Sequence, residues 1–322
     1  MKMNWITFVN YRLRAYIREQ KIRKNGLLIY ANAVLHYANH NVLDTVKINQ
    51  YITTSIKSGK PFMAARFGST ELLNMRSYDF PVRGKYSKDF HFNHLCEWSG
   101  FFPNDYSLLK DFVELEKQSA SEIDVMAIWF HAFEDYYIKE LMSPEVKCTY
   151  LLNFEPWSAP ACPWSAALKG KKVLVIHPFS ETIQAQYQKR EKIFPGTDIL
   201  PEFDLKTLKA VQTLAGNKDD RFGTWFEALE WMYQEAMKID FDVAIIGCGA
   251  YGMPLAAKIK KAGKQAIHLA GATQLLFGIR GKRWDTDPAF EYVRKWYNDA
   301  WVYPGQQDKI QNGNKVENAC YW

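Results

Sequence analysis

The sequence lacks several features that mark specialised classes of protein. Its five cysteines are scattered and none forms a Cys-x-x-Cys pair, so the sequence predicts neither a disulfide framework nor a zinc site. No apolar run reaches about 18 residues, so no membrane span is expected. The N-terminus lacks the basic, apolar and small-residue pattern of a secretory signal. Together these absences favour the cytoplasm.

A strong charge of either sign is also missing. The net charge is +6 over 322 residues, which suits an anionic ligand or an anionic membrane surface but is too small to indicate nucleic acid. Aromatic residues, in contrast, make up 15% of the chain. They are typical of a globular core, of sugar-binding platforms or of membrane-interface anchors, and composition alone does not separate these roles.

The most informative stretch runs from Asp242 to Gly271. An apolar run, residues 243–246, predicts a buried strand, and the residues after the glycines predict a helix and then a second strand at 265–269. Such a strand-helix-strand unit lets backbone approach a ligand and offers the N–H groups of a helix N-terminus to a phosphate. The turn contains these candidate binding residues: Gly247, Gly249, Tyr251 and Gly252.

Two alternatives remain for this turn. The second strand ends without an Asp or Glu to hold a ribose, so a phosphate-bearing ligand other than NAD is favoured over NAD. The glycines are also consistent with tight packing of helix on strand and no ligand at all.

A second pattern follows the predicted strand at 62–67. Gly68 ends the strand, Ser69 is a good N-cap, and Glu71 lies in the first turn of the next helix. Arg66 and Glu71 should therefore project at the carboxyl edge of the sheet, where open α/β sheets bind ligands. The alternative is that Arg66 pairs with Glu71 and that Glu71 only complements the helix dipole.

Two further groups of polar residues follow predicted strands. The strand at 173–176 leads to His177 and to a helix capped by Ser180, which brings Glu181 and the Thr182 hydroxyl to its first turn. This helix start predicts either a phosphate site or simple capping. After Gly271, Thr273 is a candidate cap, and a basic cluster either neutralises a diphosphate or is a solvated charge run. The cluster comprises Arg280, Lys282 and Arg283.

Outside these strand ends, two segments carry weaker predictions. Residues 78–103 are interpreted as an aromatic-rich, acceptor-binding loop, in which His91 and His94 are weak metal candidates. The pattern at residues 1–24 predicts a basic amphipathic helix. That helix either lies on a membrane surface or packs on its own domain with a solvated basic face.

Strands near residues 62, 124, 148, 173, 243 and 265 alternate with helices. This order predicts an α/β fold: a Rossmann-like, doubly wound, mostly parallel sheet with an N-terminal helical extension. The predicted domains are a helical segment at 1–58, a Rossmann-like domain at 59–304 and a polar tail at 305–322.

The segment Arg-Phe-Gly-Ser-Thr-Glu at 66–71 resembles the RxGDGE motif of the GT-D type glycosyltransferases. The late strand-glycine-helix-strand unit and the helix at 225–229 resemble the same family. The resemblance implies a nucleotide-sugar donor and an Asp-x-Glu pair that engages a divalent cation. Glu71 matches the Glu, but Ser69 stands at the Asp position. One carboxylate and a hydroxyl make a poor Mn²⁺ or Mg²⁺ site unless the diphosphate and another acid contribute, so metal-independent transfer is favoured.

We therefore expect a transferase that moves a sugar from a nucleotide-diphosphate donor to a glycan or lipid-linked glycan in cell-surface polysaccharide or glycoconjugate synthesis. Glu71, His177, Glu181 and Glu134 are candidate bases. The enzyme is expected in the cytoplasm, with peripheral membrane contact through residues 1–24. Two alternatives are an NAD(P)-dependent oxidoreductase and a non-catalytic protein that binds a phosphorylated ligand.

Overall fold

The computed structural model describes residues 5–80, 88–308 and 321. In these residues the strands are β1 (His36–Tyr37), β2 (His40–Leu43), β3 (Phe62–Ala65), β4 (Val125–Ile128), β5 (Lys147–Tyr150), β6 (Lys172–His177), β7 (Asp204–Lys209), β8 (Val243–Ile246) and β9 (Gln265–His268). They form one sheet in the order β1-β2-β5-β4-β3-β9-β8-β6-β7. Only the short β1–β2 pair is antiparallel.

Helices cover both faces of this sheet. They are α1 (Trp5–Asn25), α2 (Leu27–Ala33), α3 (Thr45–Ser58), α4 (Ser69–Asp79), α5 (Lys88–Ser99), α6 (Leu109–Ala120), α7 (Glu134–Leu141), α8 (Leu151–Phe154), α9 (Ser180–Tyr187), α10 (Arg190–Ile193), α11 (Trp225–Met237), α12 (Gly252–Lys261), α13 (Ala272–Leu276), α14 (Lys282–Thr286) and α15 (Glu291–Arg294). The predicted Rossmann-like, doubly wound α/β fold is thus confirmed.

Two hydrophobic cores flank the sheet because side chains along a strand alternate between its faces. In β3, Met63 and Ala65 enter the core under α4, α6 and α12, whereas Phe62 and Ala64 enter the core under α3 and α9. In β8, Ala244 and Ile246 enter the first of these cores, and Val243 and Ile245 enter the second. A parallel sheet buried on both faces requires such uniformly apolar strands, and the sequence has them.

The six strands predicted from the sequence are all present, but the segment at 27–58 is not entirely helical. It contains β1 and β2, and β2 joins the main sheet, where Val42 pairs with Cys148 and Leu43 pairs with Thr149. These short strands depend on partners about a hundred residues away. No local pattern in the sequence reveals such a pairing.

One other local prediction needs correction. The predicted loop at 78–103 contains α5, which carries His91 and His94. Beyond β7 a single 3₁₀ turn forms at Leu214–Gly216. Near the end of the described chain, Asp287 caps a 3₁₀ turn that begins at Pro288 and leads into α15.

Helix α1 packs on its own domain. Phe8 and Tyr11 are buried against Phe133, and Arg18 donates to the carbonyl oxygens of Phe130 (3.1 Å) and His131 (2.9 Å). The docked arrangement, one of the two alternatives for this helix, is therefore observed. In the described ranges, no helix combines the length and apolarity needed to cross a membrane.

Candidate functional site

The ends of five neighbouring strands form a cleft at the carboxyl edge of the sheet, which we call the strand-end cleft. Its walls follow β4, β3, β9, β8 and β6, and these strands are consecutive in the sheet. The enclosed volume is about 130 Å³. Predicted site residues that line it are Arg66, Gly68, Ser69, Glu71, His177, Gly247, Gly249 and Arg283.

Arg66 extends from the end of β3 into this cleft. Its guanidinium carbon lies 4.1 Å from the centre of the Trp129 ring, and its Nε is buried without a hydrogen-bond partner in the described chain. Burial lowers the pKa of Arg66, with the nearby Glu71 acting in the opposite direction. Among the described residues no ion pair joins Arg66 to Glu71, so the pairing alternative is wrong and this cation faces the cleft.

Glu71 is held against the loop that precedes α4. A Cβ atom added at Gly68 would lie 1.7 Å from Oε2 of Glu71, so the carboxylate folds back over a glycine that leaves room for it. Gly68 is itself the N-cap, and Ser69 is the first helical residue with no side-chain cap. The prediction that Ser69 is the N-cap is therefore wrong by one residue. Ser69 is exposed and lines the cleft.

Glu116 of α6 is a second carboxyl group in the cleft wall, and no sequence pattern pointed to it. The side chain is only 1% exposed, and neither carboxyl oxygen has a hydrogen-bond partner in the described residues. Burial raises the pKa of Glu116 well above its usual range, and the charge of Glu71 raises it further. The neutral form of Glu116 is therefore favoured.

The glycine turn after β8 serves both packing and the cleft. A Cβ at Gly247 would lie 2.5 Å from the Ala270 carbonyl oxygen, and one at Gly252 would lie 2.1 Å from the His268 ring. Gly249 adopts a left-handed φ of 60°. Gly247 and Gly249 line the cleft and Gly252 does not. Tight packing, one of the two alternatives for this turn, is therefore observed at Gly247 and Gly252, and ligand binding by the turn stays a prediction.

Two buried histidines also line the cleft. Nδ1 of His177 accepts a hydrogen bond from the Phe179 amide (3.0 Å), which leaves the proton on Nε2. Burial lowers the pKa of His177 to about 3, and burial with Arg66 lowers that of His268 to about 3. His177 is therefore a neutral hydrogen-bond donor, because the nitrogen that would act as a base is already occupied.

The start of α9 lies outside the cleft. Asp308 accepts hydrogen bonds from the Thr182 amide (3.1 Å) and hydroxyl, so a carboxylate of the chain itself occupies the predicted phosphate position. Ser180 is buried and makes no capping bond. Glu181 is turned toward Lys209, 3.4 Å away. The predicted site roles of Ser180, Glu181 and Thr182 are therefore wrong.

Other predicted binding residues have structural partners instead. The Tyr251 ring stacks on Trp225 at 4.8 Å, and the Thr273 hydroxyl donates to the Ile246 carbonyl oxygen. Arg280 pairs with Asp285 at 3.2 Å. Lys282 is exposed at the start of α14 and does not line the cleft. Of the predicted basic cluster only Arg283 lines the cleft. Arg280 precedes α14 and is held by Asp285, and Lys282 and Arg283 point in different directions because they are consecutive residues of a helix.

Glu134 is held by hydrogen bonds within the fold. Its carboxylate accepts hydrogen bonds from the Phe130 amide (2.8 Å) and the Tyr37 hydroxyl (3.2 Å), and it does not line the cleft. Burial raises its pKa to about 7. The end of β4 does contribute a residue to the cleft, but that residue is Trp129, five positions before the predicted Glu134.

The residues of the cleft offer an incomplete metal site. The described chain contains no group of three or more His, Cys, Asp or Glu residues placed to hold an ion. The carboxylates that line the cleft are those of Glu71 and Glu116, and burial favours the neutral form of Glu116; the other oxygen ligands of the described lining are neutral hydroxyl and amide groups. Mn²⁺ and Mg²⁺ take six oxygen ligands, and most would have to come from a diphosphate and water. This set does not fit a resident metal.

These features define a class: a Rossmann-like α/β protein with an arginine-containing, carboxylate-containing cleft at the carboxyl ends of its central strands. No protein-family model and no curated protein matches the chain. Two solved structures are similar to it. One is a selenomethionine-substituted structure of domain of unknown function 1792, with 15% identity, a TM-score of 0.44 and coverage of 85% of this chain and 86% of that chain.

The other is a structure of the same domain, described as having a distinct glycosyltransferase fold. It shares 14% identity and a TM-score of 0.45, with coverage of 88% of this chain and 91% of that chain. Identity and TM-scores at this level do not transfer an activity, which has to be inferred from the cleft itself.

Proposed function

We propose that this protein is a glycosyltransferase that binds a nucleotide-diphosphate sugar in the strand-end cleft. The observation that carries the proposal is the meeting of Arg66, Arg283, the first-turn amides of α4 and the Gly247–Gly249 turn around Glu71. Guanidinium groups and free amides at a helix N-terminus are suited to a pyrophosphate. A carboxylate beside them is suited to an acceptor hydroxyl.

The reaction requires few groups. The acceptor oxygen bonds to the anomeric carbon, the bond from that carbon to the diphosphate breaks, and the hydroxyl proton passes to Glu71. Arg66 and Arg283 stabilise the negative charge that develops on the departing nucleoside diphosphate. Nε2–H of His177 is a further donor toward ligand oxygens. Arg66 and Arg283 supply the positive charge that a metal ion would otherwise supply, so transfer is proposed to be metal-independent.

Donor binding is tested with a panel of UDP-, GDP-, CMP- and dTDP-sugars, measured by thermal stabilisation and by slow donor hydrolysis. The expected result is stabilisation by at least one donor, with affinity lost by about tenfold or more in Arg66→Met, the size of a lost charge-assisted hydrogen bond. Arg280→Met is the matched control, since Arg280 pairs with Asp285 outside the cleft. A protein that ignores the whole panel is not this kind of transferase.

The substitution Glu71→Gln separates an enzyme from a protein that only binds its ligand. Loss of a catalytic base should lower donor turnover by about 100-fold or more, while donor affinity and melting temperature change little. Unchanged turnover in Glu71→Gln contradicts the role of Glu71 as the catalytic base.

An oxidoreductase is disfavoured. The carboxyl groups of the cleft, Glu71 and Glu116, belong to α4 and α6, and neither follows β9, where a ribose would be held.

We also propose that the enzyme works at the cytoplasmic face of a membrane and contacts it through α1. The surface of α1 opposite its docked face is apolar and includes Ile6, Leu13 and Ile17, which are 71%, 54% and 45% exposed. Arginines and lysines flank this stripe at positions 12, 14, 21 and 24. An exposed apolar stripe between cations is typical of helices that lie on anionic lipid.

A further inference from the structure

One side of the strand-end cleft is formed by three helices that lie on the same face of the sheet. We call this side the helix wall, and its cleft-lining residues are Glu71 of α4, Trp98 and Ser99 of α5, and Glu116 of α6. The three helices share one core, to which Leu72, Leu95 and Phe112 belong. The proposed donor chemistry uses the helix wall only through Glu71.

Contacts between these helices hold the helix wall in place. Asn74 of α4 donates a hydrogen bond to the carbonyl oxygen of His91 in α5 (2.9 Å). Phe101, two residues after α5, packs edge-on against Phe112 of α6, with ring centres 5.2 Å apart. Asn74 and Phe112 are fully buried. A site built on packed helices holds its side chains more precisely than a site on a loop.

Glu116 occupies a position of α6 where the helix pattern calls for an apolar side chain. The buried face of α6 includes Phe112, Val113, Glu116 and Ala120. A buried polar group without a partner destabilises the fold, and neither carboxyl oxygen of Glu116 has one in the described residues. The neutral form that burial and the nearby charge of Glu71 favour has one O–H donor and an acceptor oxygen. A ligand in the cleft would satisfy both.

Trp98 brings an aromatic surface to the same wall. Its half-buried ring stacks on His94, with ring centres 3.8 Å apart and 14° between the planes. This contact fixes the indole ring where it borders the cleft. An indole ring combines a large apolar surface with a single N–H group. It therefore suits a ligand that has a C–H face and polar edges, as a sugar ring does.

The helix wall differs in charge from the rest of the cleft. Among the described residues, α4, α5 and α6 contribute no arginine or lysine to the lining, whereas Arg66 follows β3 and Arg283 belongs to α14. The wall offers a carboxylate, a neutral carboxyl group, a serine hydroxyl and an indole ring. These groups match an uncharged ligand with several hydroxyl groups, while a phosphate is attracted to the arginines.

We propose that the helix wall binds the acceptor of the transfer, and that this acceptor is a saccharide with neighbouring hydroxyl groups. One hydroxyl attacks the anomeric carbon and gives its proton to Glu71, while the bond from that carbon to the diphosphate breaks. The next hydroxyl bonds to the carboxyl group of Glu116, and the sugar ring lies against Trp98. A lone alcohol, such as a serine side chain, leaves Glu116 without a partner and is bound less well. The reaction depends on the proposed function, but the binding does not.

Saccharide binding can be measured without any reaction. The probes are the methyl glycosides of glucose, galactose, mannose and N-acetylglucosamine, and saturation-transfer NMR follows binding with and without each nucleoside diphosphate. N-acetylserine amide, which has a single hydroxyl, is the comparison ligand. At least one glycoside should bind about fivefold or more tightly than this amide, because it gains the hydrogen bond to Glu116 and the contact with Trp98. Equal binding of all five compounds overturns the inference.

Three variants locate the binding. Trp98→Leu removes the ring and Glu116→Met removes the carboxyl group, and each should weaken glycoside binding by about fivefold. Glu116→Gln keeps a donor and an acceptor and should bind within about twofold of the unmodified protein. The control is Trp231→Leu, outside the cleft lining, where Arg221 lies 4.4 Å from the ring centre; it should change binding less than about twofold.

Glu116→Met is expected to fold, because it replaces a polar group that has no partner in the described chain. Its melting temperature checks this. Glycoside binding that ignores Glu116→Met, or that Glu116→Gln and Glu116→Met weaken equally, shows that Glu116 does not bind the saccharide as a neutral hydrogen-bonding group.

Nucleotide-sugar binding by the same proteins separates the two proposals. Glycoside binding that depends on Trp98 and Glu116, in a protein that binds no nucleotide sugar, keeps the saccharide site and removes the transferase. Nucleotide-sugar binding without glycoside binding keeps the transferase and removes the saccharide site. If Trp98→Leu and Glu116→Met weaken nucleotide-sugar binding as much as glycoside binding, the helix wall holds the donor sugar and the inference is overturned.

Discussion

Gly68 controls the position of a charged group by having no side chain. Its φ of −71° is ordinary for any residue, so the reason for glycine is the Glu71 carboxylate that lies where a Cβ would be. Gly68→Ala should therefore displace Glu71 without harming the fold. We expect the free energy of unfolding to be unchanged or higher by about 0.4–1 kcal/mol, and donor turnover to fall by about 100-fold.

The control for this substitution is another glycine beside a glutamate. At Gly223 an added Cβ would lie 3.4 Å from the Glu227 carboxylate, which is ordinary contact. Gly223→Ala should leave turnover unchanged. Equal turnover in the two alanine variants, measured with the same donor, would show that the position of Glu71 does not matter.

Glu116 gives a prediction about pH. Its folded-state pKa is raised, whereas an unfolded glutamate titrates near 4.3. The folded state therefore keeps a proton that the unfolded state releases, and the stability that depends on this proton is lost as pH rises above about 4.3. Gln cannot titrate, so Glu116→Gln should gain stability relative to the unmodified protein as pH increases from 5 to 8, by up to about 1.4 kcal/mol per pH unit.

Urea unfolding at several pH values measures this difference. Burial also raises the pKa of Glu134 and that of Glu155, to about 7 and about 8, but both groups are present in each protein and cancel in the comparison. Parallel stability curves for the two proteins would show that Glu116 ionises normally in the fold.

Helix α1 has two apolar faces with different partners. Phe8, Tyr11 and Arg18 lie on the docked face, while Leu13 and Ile17 lie on the opposite one. The double substitution Leu13→Glu and Ile17→Glu should leave the fold intact, since both side chains are exposed. Burying even half of each side chain in lipid contributes roughly 1.5–3 kcal/mol in total, so binding to anionic vesicles should fall by about tenfold or more.

Co-sedimentation with phosphatidylglycerol-containing vesicles measures this loss. The control protein carries the same two added charges at exposed positions of α6 and α11, Gln118→Glu and Gln234→Glu. If both double variants lose binding equally, the loss reflects net charge and α1 is not the contact surface.

The N-terminal segment belongs to the fold of the whole molecule. Strand β2 extends the sheet beside β5, and Ile48, Ile52 and Ile56 of α3 are fully buried in one of the two cores. Burying three such side chains contributes roughly 5–9 kcal/mol, as much as the entire stability of many domains. A chain that starts at residue 59 should therefore not unfold cooperatively.

A chain that starts at residue 35 keeps β2 and α3 and should retain a cooperative transition at lower temperature, because it loses only α1 and α2. Differential scanning calorimetry of the two truncated chains provides the comparison. A cooperative transition in the shorter one would make residues 1–58 a separate unit, as the sequence first indicated.

The sequence by itself determined the parts of this protein that depend on local pattern. Apolar runs at 62, 124, 148, 173, 243 and 265 fixed the central strands, and strand-end positions selected Arg66, Gly68, Glu71 and the Gly247–Gly249 turn. These inferences succeed because strand period and parallel order bring strand ends to one edge without knowledge of any distant contact.

Only the tertiary structure decided which side chains face the cleft. Glu116 enters it from the middle of α6, Asp308 blocks the start of α9, and the Phe179 amide fixes the proton of His177. Arg280 and Arg283 are three residues apart, yet one pairs with Asp285 and the other lines the cleft. Side-chain direction and partners depend on packing between segments that are distant in sequence, and such packing leaves no local pattern.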